Sequence, residues 1–102
     1  MKLNETFVQE TVEVLEAEVA QIETGIYMSR KLRTKIETEL KEIKKLRAKY
    51  GQLGLSTKYL NKASVELKET LDQRQAIIKN LLGYLVEKKE TLKVFNVAKG
   101  AK

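Results

Sequence analysis

Residues 49–59, KYGQLGLSTKY, lie at the midpoint of a 102-residue chain and interrupt a pattern that is helical on both sides. They hold two of the five glycines. Glycine tolerates the left-handed backbone that ends a helix, so the first helix is expected to stop at Gly51. Ser56 has Leu55 before it and Leu60 four residues after it, which fits an N-cap with a hydrophobic staple. One helix therefore ends and another begins within a few residues. A connection this short favours antiparallel neighbours.

Outward from this reversal the apolar residues recur with a helical period. From Val8, alternating steps of four and three reach Val12, Leu15, Val19, Ile22, Ile26, Ser29, Arg33, Ile36, Leu40, Ile43, Arg47 and Tyr50. In the second half the same steps lead from Leu60 through Ser64, Leu67, Leu71, Arg74, Ile78, Leu81, Leu85, Lys88 and Leu92 to Phe95. Most of these positions are apolar, so a seven-residue repeat is sustained through each half. Asn4, with Leu3 before it and Val8 four residues on, has the same start signature as Ser56. The expectation is an all-α, single-domain, coiled-coil-like antiparallel two-helix hairpin: helix about 4–50, turn 51–55, helix about 56–97 and a flexible tail 98–102. If the reversal centres near Gly54, residue i faces residue 108 − i, and Gly25 falls level with Gly83.

One hairpin does not bury every apolar residue. Phe7, Val14, Ala17, Ala20, Tyr27 and Met28 lie off the first seam, and AIIKNLLGYLV, residues 76–86, is apolar on several faces. A helix apolar beyond one stripe must bury the excess. The expected answer is a second chain forming a four-helix bundle near the chain ends, with Val14, Tyr27, Met28, Ile77, Leu82 and Tyr84 at the partner interface. The alternative is an arm bent back at Gly25 or Gly83 into a folded monomer.

Charge is segregated along the chain. Residues 1–29 carry −5, residues 30–49 carry +6 and residues 58–102 carry +5, for a net charge of +6. Antiparallel arms set the acidic start beside Lys88, Lys89, Lys93 and Lys99. The loop-proximal half stays basic, with Glu37–Lys41 and Glu42–Lys45 offsetting part of the repulsion. Its cations Arg30, Lys31, Lys35, Lys41, Lys44, Lys45 and Lys49 are the candidate contacts for an acidic partner or nucleic acid. No aromatic residues interleave with them to stack bases. For a membrane surface, the tip is expected to be short of exposed Trp, Phe or Leu to insert. On the seam, Leu46 is expected to rotate inward and Arg47 to snorkel outward. For Arg33, a buried polar layer with Asp72, Arg74 and Glu37 nearby competes with the same outward rotation.

Proline, cysteine, tryptophan and histidine are absent. That removes disulfides, cysteine and histidine catalysis, and Cys/His zinc sites. No phosphate-cradling or metal-loop spacing appears, so no catalytic, cofactor-binding or metal-ligating residues are expected and the chain is not expected to be an enzyme. No apolar run approaches the roughly 20 residues of a membrane span. The start MKLNETFVQE turns acidic at once and does not read as a signal peptide. A cytoplasmic location is expected, with leaderless secretion the alternative.

Two similar helices about a central reversal in about 100 residues resemble the WXG100-type substrates of type VII secretion and their small helical partners. Tyr50-Gly51 or Leu53-Gly54 stands where that family has a Trp-x-Gly turn. Tyr84 is followed four residues on by Lys88, where its export signal has an acid. The resemblance implies a secreted hairpin or its partner. The residues themselves point first to a non-enzymatic helical interaction protein, an adaptor, chaperone or assembly subunit that binds itself or another helical protein. A nucleic-acid-associated protein using the basic half is the other reading.

Overall fold

The computed structural model describes the backbone of residues 5–100 and the side chains of residues 5–98. It is an all-α helical hairpin of two helices, α1 (Glu5–Gln52) and α2 (Lys58–Gly100). The second helix runs past the expected end near residue 97. The proposed cap Asn4 and its neighbour Leu3 lie outside the described residues. Neither Gly25 nor Gly83 interrupts its helix, so neither arm bends back there.

The seven-residue walk predicts the seam. Every position it reaches in α1 and in α2 is buried or half-buried. Burial of such a row is what holds two long helices together, since isolated helices draw most of their stability from packing an apolar face.

The chain forms two compact units. One comprises Met1–Tyr27 with Lys79–Lys102 and contains the chain termini; here it is called the terminal unit. Its core is Val8, Val12, Leu15 and Ile26 from α1, against half-buried Leu81, Leu85, Leu92 and Phe95 from α2. Phe7 and Phe95 pack as tilted rings with centroids 6.4 Å apart, within the range of favourable aromatic pairs. The Lys88 ammonium lies 2.8 Å from Glu18 Oε2, and Lys89 lies 3.6 Å from Glu23. The acidic stretch thus meets the lysines of α2. These pairs are part-exposed, and each contributes up to about 1 kcal/mol.

The other unit, Met28–Ile78, contains the reversal and is called the turn unit. Ile36 and Ile78 are its buried apolar residues, accompanied by buried Ser29 and Ser64. Arg47 stays half-buried on the seam and donates to Asn61 Oδ1 at 3.2 Å. Leu46 is the exposed one of the two, so the expected rotation does not occur: the side-chain amide across the seam gives the guanidinium a partner where it lies. Arg33 is half-buried, with Glu37 Oε1 3.6 Å from its Nε. Glu37 therefore pairs with Arg33 and not with Lys41, while Glu42 and Lys45 pair as expected at 3.6 Å.

The reversal itself is a Schellman motif. Leu55 N–H donates to Tyr50 O at 2.8 Å and Gly54 N–H to Gly51 O at 3.2 Å, the two bonds that define the motif. The left-handed residue is Gly54, at φ 69°. Gly51 remains helical, so α1 runs on past the expected stop. At the start of α2 the first helical bond runs from the Asn61 N–H to Thr57 O at 2.9 Å, so Thr57 holds the N-cap position one residue after the expected Ser56, whose Oγ still accepts from the Lys58 N–H at 3.3 Å.

These contacts also fix the levels of the arms. An added Cβ on Gly25 would lie 3.3 Å from Leu81 Cδ1, so the Leu81 side chain reaches Gly25 across the seam. Stepping the two seam walks in opposite directions from this level pairs their positions one to one. In the terminal unit this pairing sets Val12 against Phe95, Leu15 against Leu92, Val19 against Lys88, Ile22 against Leu85 and Ile26 against Leu81. In the turn unit, where Arg47 reaches Asn61, it sets Ser29 against Ile78, Arg33 against Arg74, Ile36 against Leu71, Leu40 against Leu67, Ile43 against Ser64 and Arg47 against Leu60.

Candidate functional site

Once the seam is known, each remaining residue takes a heptad position. With Val12 and Ser64 at a, and Val8 and Leu60 at d, the two flanks of the hairpin are unlike. In antiparallel helices the g rows share one flank and the e rows the other. Every e position of both helices within the described residues is exposed. The g positions are more covered: Thr11, Glu18, Gly25 and Ala98 are half-buried in the terminal unit, and Leu32, Ala63 and Thr70 in the turn unit. The apolar stripe is therefore a, d and g, the wider stripe of a bundle helix and not the a/d line of an isolated two-stranded coil.

The g row of α2 carries no charge at all: Ala63, Thr70, Ile77, Tyr84, Thr91 and Ala98. Thr70 and Thr91 each turn their hydroxyl back to the carbonyl four residues before, at 3.0 Å, which lowers the polarity they present.

The six proposed interface residues, Val14, Tyr27, Met28, Ile77, Leu82 and Tyr84, are all exposed. They do not share one surface. In the terminal unit Val14 (position c) and Tyr84 (g) lie on the g flank, with exposed Phe7 and Val94 at c beside them, and with Glu18 (g), paired to Lys88, and Glu87 (c) as its charges. Tyr27 (b) and Leu82 (e) lie on the opposite flank, where the Glu23–Lys89 pair bridges the two e rows. In the turn unit Met28 (c) and Ile77 (g) take the g flank, which there also carries Glu39. Phe7 and Val94 were not among the expected interface residues. The signal that finds them is their heptad position, which becomes clear only when the seam is fixed.

On the e side of the terminal unit, Val19, Lys89, Leu92, Lys93, Asn96 and Val97 line an open groove. It contains two lysines and no acid. Among the described residues, no three acidic side chains gather where they could hold a metal ion.

The basic candidates Arg30, Lys31, Lys35, Lys41, Lys44, Lys45 and Lys49 are all exposed in the turn unit. They occupy positions b, c, e and f of α1. This coats the outer half of the helix and does not draw a line that tracks a backbone. At the reversal, Leu53, Leu55 and Tyr59 are exposed, and the two leucines overturn the expectation that the tip is short of exposed Trp, Phe or Leu. The Schellman bonds commit the backbone to the turn and leave these side chains outside the seam.

Among the described residues, no helix is long and apolar enough to cross a membrane. The chain has no significant match to any protein-family model, curated protein or solved structure.

Proposed function

We propose that this chain is a non-enzymatic helical interaction protein, which acts by burying the flank that holds the charge-free g row of α2 against helices of another chain, either a second copy or a helical partner. The observation that carries this reading is the wide a/d/g stripe, with a charge-free g row on α2 and exposed Phe7, Val14, Tyr84 and Val94 beside it in the terminal unit. An apolar row that one hairpin half-covers is a row prepared for further helices. In the terminal unit the opposite signs of the α1 and α2 stretches favour antiparallel docking, in which the acidic start of α1 lies beside a lysine-bearing α2 and two acidic segments do not meet. The result is an adaptor, chaperone or assembly subunit in a four-helix arrangement.

Light scattering on the purified chain and on Val14→Glu and Tyr84→Glu tests the reading. Each substitution should lower the mass of the assembly while circular dichroism keeps its helical signal. Leu82→Glu, on the other flank, should leave the mass as it is. An assembly indifferent to Val14→Glu and Tyr84→Glu, or a parent chain that is monomeric and captures no helical partner, counts against it.

A further inference from the structure

We infer that the tip of the turn unit is a docking surface for an anionic lipid bilayer. Residues 43–65 contain no acidic residue and six basic ones: Lys44, Lys45, Arg47, Lys49, Lys58 and Lys62. Arg47 is committed to Asn61 and Lys45 lies near Glu42. Lys44, Lys49, Lys58 and Lys62 are exposed, and none of the ion pairs among the described residues engages them. A cluster of this kind beside a membrane responds to the negative surface potential of acidic lipids.

Charge alone fits any polyanion. The apolar side chains at the same tip decide between them. Leu53 is 63% exposed, Leu55 52% and Tyr59 80%, the last being the most exposed large apolar side chain among the described residues. Leu53 and Leu55 flank Gly54, at the apex of the reversal. A phosphodiester backbone gives two protruding leucines nothing to bury against, whereas the interfacial zone of a bilayer takes leucine and tyrosine side chains with basic residues around them.

The backbone is also suited to that environment. A turn entering a low-dielectric zone must not bring bare amides with it. The N–H groups of Leu53, Gly54 and Leu55 are bonded to the carbonyls of Lys49, Gly51 and Tyr50, and the Lys58 N–H is bonded to Ser56 Oγ. The apex itself, Leu53 to Leu55, therefore offers its leucine side chains on amides that are already engaged, while the N–H groups of Ser56 and Thr57, just beyond it, have no such acceptor and belong at the hydrated level of the headgroups. The inference rests on residues of the turn unit alone and does not depend on what docks on the terminal unit.

The test is co-sedimentation of the full chain with vesicles of phosphatidylcholine alone and of equal parts phosphatidylcholine and phosphatidylglycerol. Binding is expected to the anionic vesicles only, and to weaken as salt rises from about 0.1 M to about 0.5 M, where the Debye length shrinks to a few ångströms. Leu53→Ser with Leu55→Ser keeps every charge and should weaken vesicle binding roughly tenfold, while leaving retention on a DNA column unchanged. Because the chain has no tryptophan, Leu55→Trp adds a unique fluorophore, whose emission should shift to the blue on mixing with anionic vesicles. Absence of sedimentation with anionic vesicles, equal binding by the double-serine variant, or no emission shift from Leu55→Trp each overturns the proposal. Tight binding to DNA with none to vesicles assigns the tip to nucleic acid instead.

Discussion

Gly25, Gly54 and Gly83 show how one residue type takes three different roles in one chain. Gly83 is exposed in the middle of α2, and an added methyl group would meet nothing within 4 Å. Gly83→Ala should raise stability by about 1 kcal/mol, the helix-propensity difference, read as a higher urea midpoint. At Gly25 the same methyl lies 3.3 Å from Leu81 Cδ1. That contact is with the end of a flexible side chain, which shifts at some cost, so Gly25→Ala should give a clearly smaller gain. Gly54 is left-handed, and Gly54→Ala should lower stability by roughly 1 kcal/mol. A sequence reading finds the glycines but not their roles: Gly51 and Gly54 are equally able to end α1, and only the hydrogen bonds to Tyr50 and Gly51 choose between them. Similarly, Leu46 and Arg47 compete for one seam position, and the outcome turns on Asn61, a neighbour from the other arm. Val12 is at the other extreme. Its place in the repeat foretells its burial, and it is the largest fully buried side chain among the described residues. Val12→Ala should cost about 2 kcal/mol through lost burial and the cavity left behind, measurable as a drop in melting temperature.

At the scale of the element, each helix is specified by its repeat and its ends. The repeat was readable because two apolar residues in every seven, sustained over many turns, admit no other period. The start of α2 was readable to within one residue because Ser56 carries a short hydroxyl side chain just before an apolar-periodic segment. Ser56→Ala should cost about 1 kcal/mol, since the Lys58 N–H loses its acceptor; a thermal melt followed at 222 nm reports it. The flanks were less legible. A surplus of apolar residues near the chain ends is visible in composition, but its division between the e flank and the g flank depends on which residues form the seam. Tyr27 and Tyr84 look alike in sequence, and one heptad letter sends them to opposite sides. Leu53 and Leu55 were hidden for another reason: next to an N-cap, Leu55 reads as a staple partner, whereas more than half of it is exposed.

For the molecule as a whole, the charge segregation seen in the sequence becomes contacts. Glu18 and Glu23 in α1 meet Lys88 and Lys89 in α2. In the opposite, parallel arrangement the acidic start of α1 would lie beside the start of α2 at Lys58 and Lys62, while Lys88 and Lys89 would meet the lysines of residues 30–49. That repulsion, together with the short reversal, leaves one arrangement of the arms. The fold was therefore legible almost entirely from two patterns, the repeat and the charge blocks. Function was not, because an interaction surface is defined by what one chain leaves uncovered, and a linear pattern does not say which rows a neighbouring helix covers.

The one-to-one coincidence of the two seam walks has a consequence for how this molecule tolerates changes in length. Each level joins one position of α1 to one of α2, so removing a heptad from a single arm keeps the phase of the repeat but gives every later level a new partner, parts Glu18 and Glu23 from Lys88 and Lys89, and leaves a heptad of the other arm uncovered at the end. Removing a heptad from both arms at matched levels, residues 36–42 together with 65–71, joins Arg33 to Ile43 and Ser64 to Arg74 in the rhythm already present. The shortened protein should remain fully helical and melt cooperatively, at a lower temperature because four seam side chains are gone. Either single deletion should melt lower still and more broadly. Insertions and deletions in this chain are thus coupled across the turn like the two sides of a zipper, tolerated in mirrored sevens.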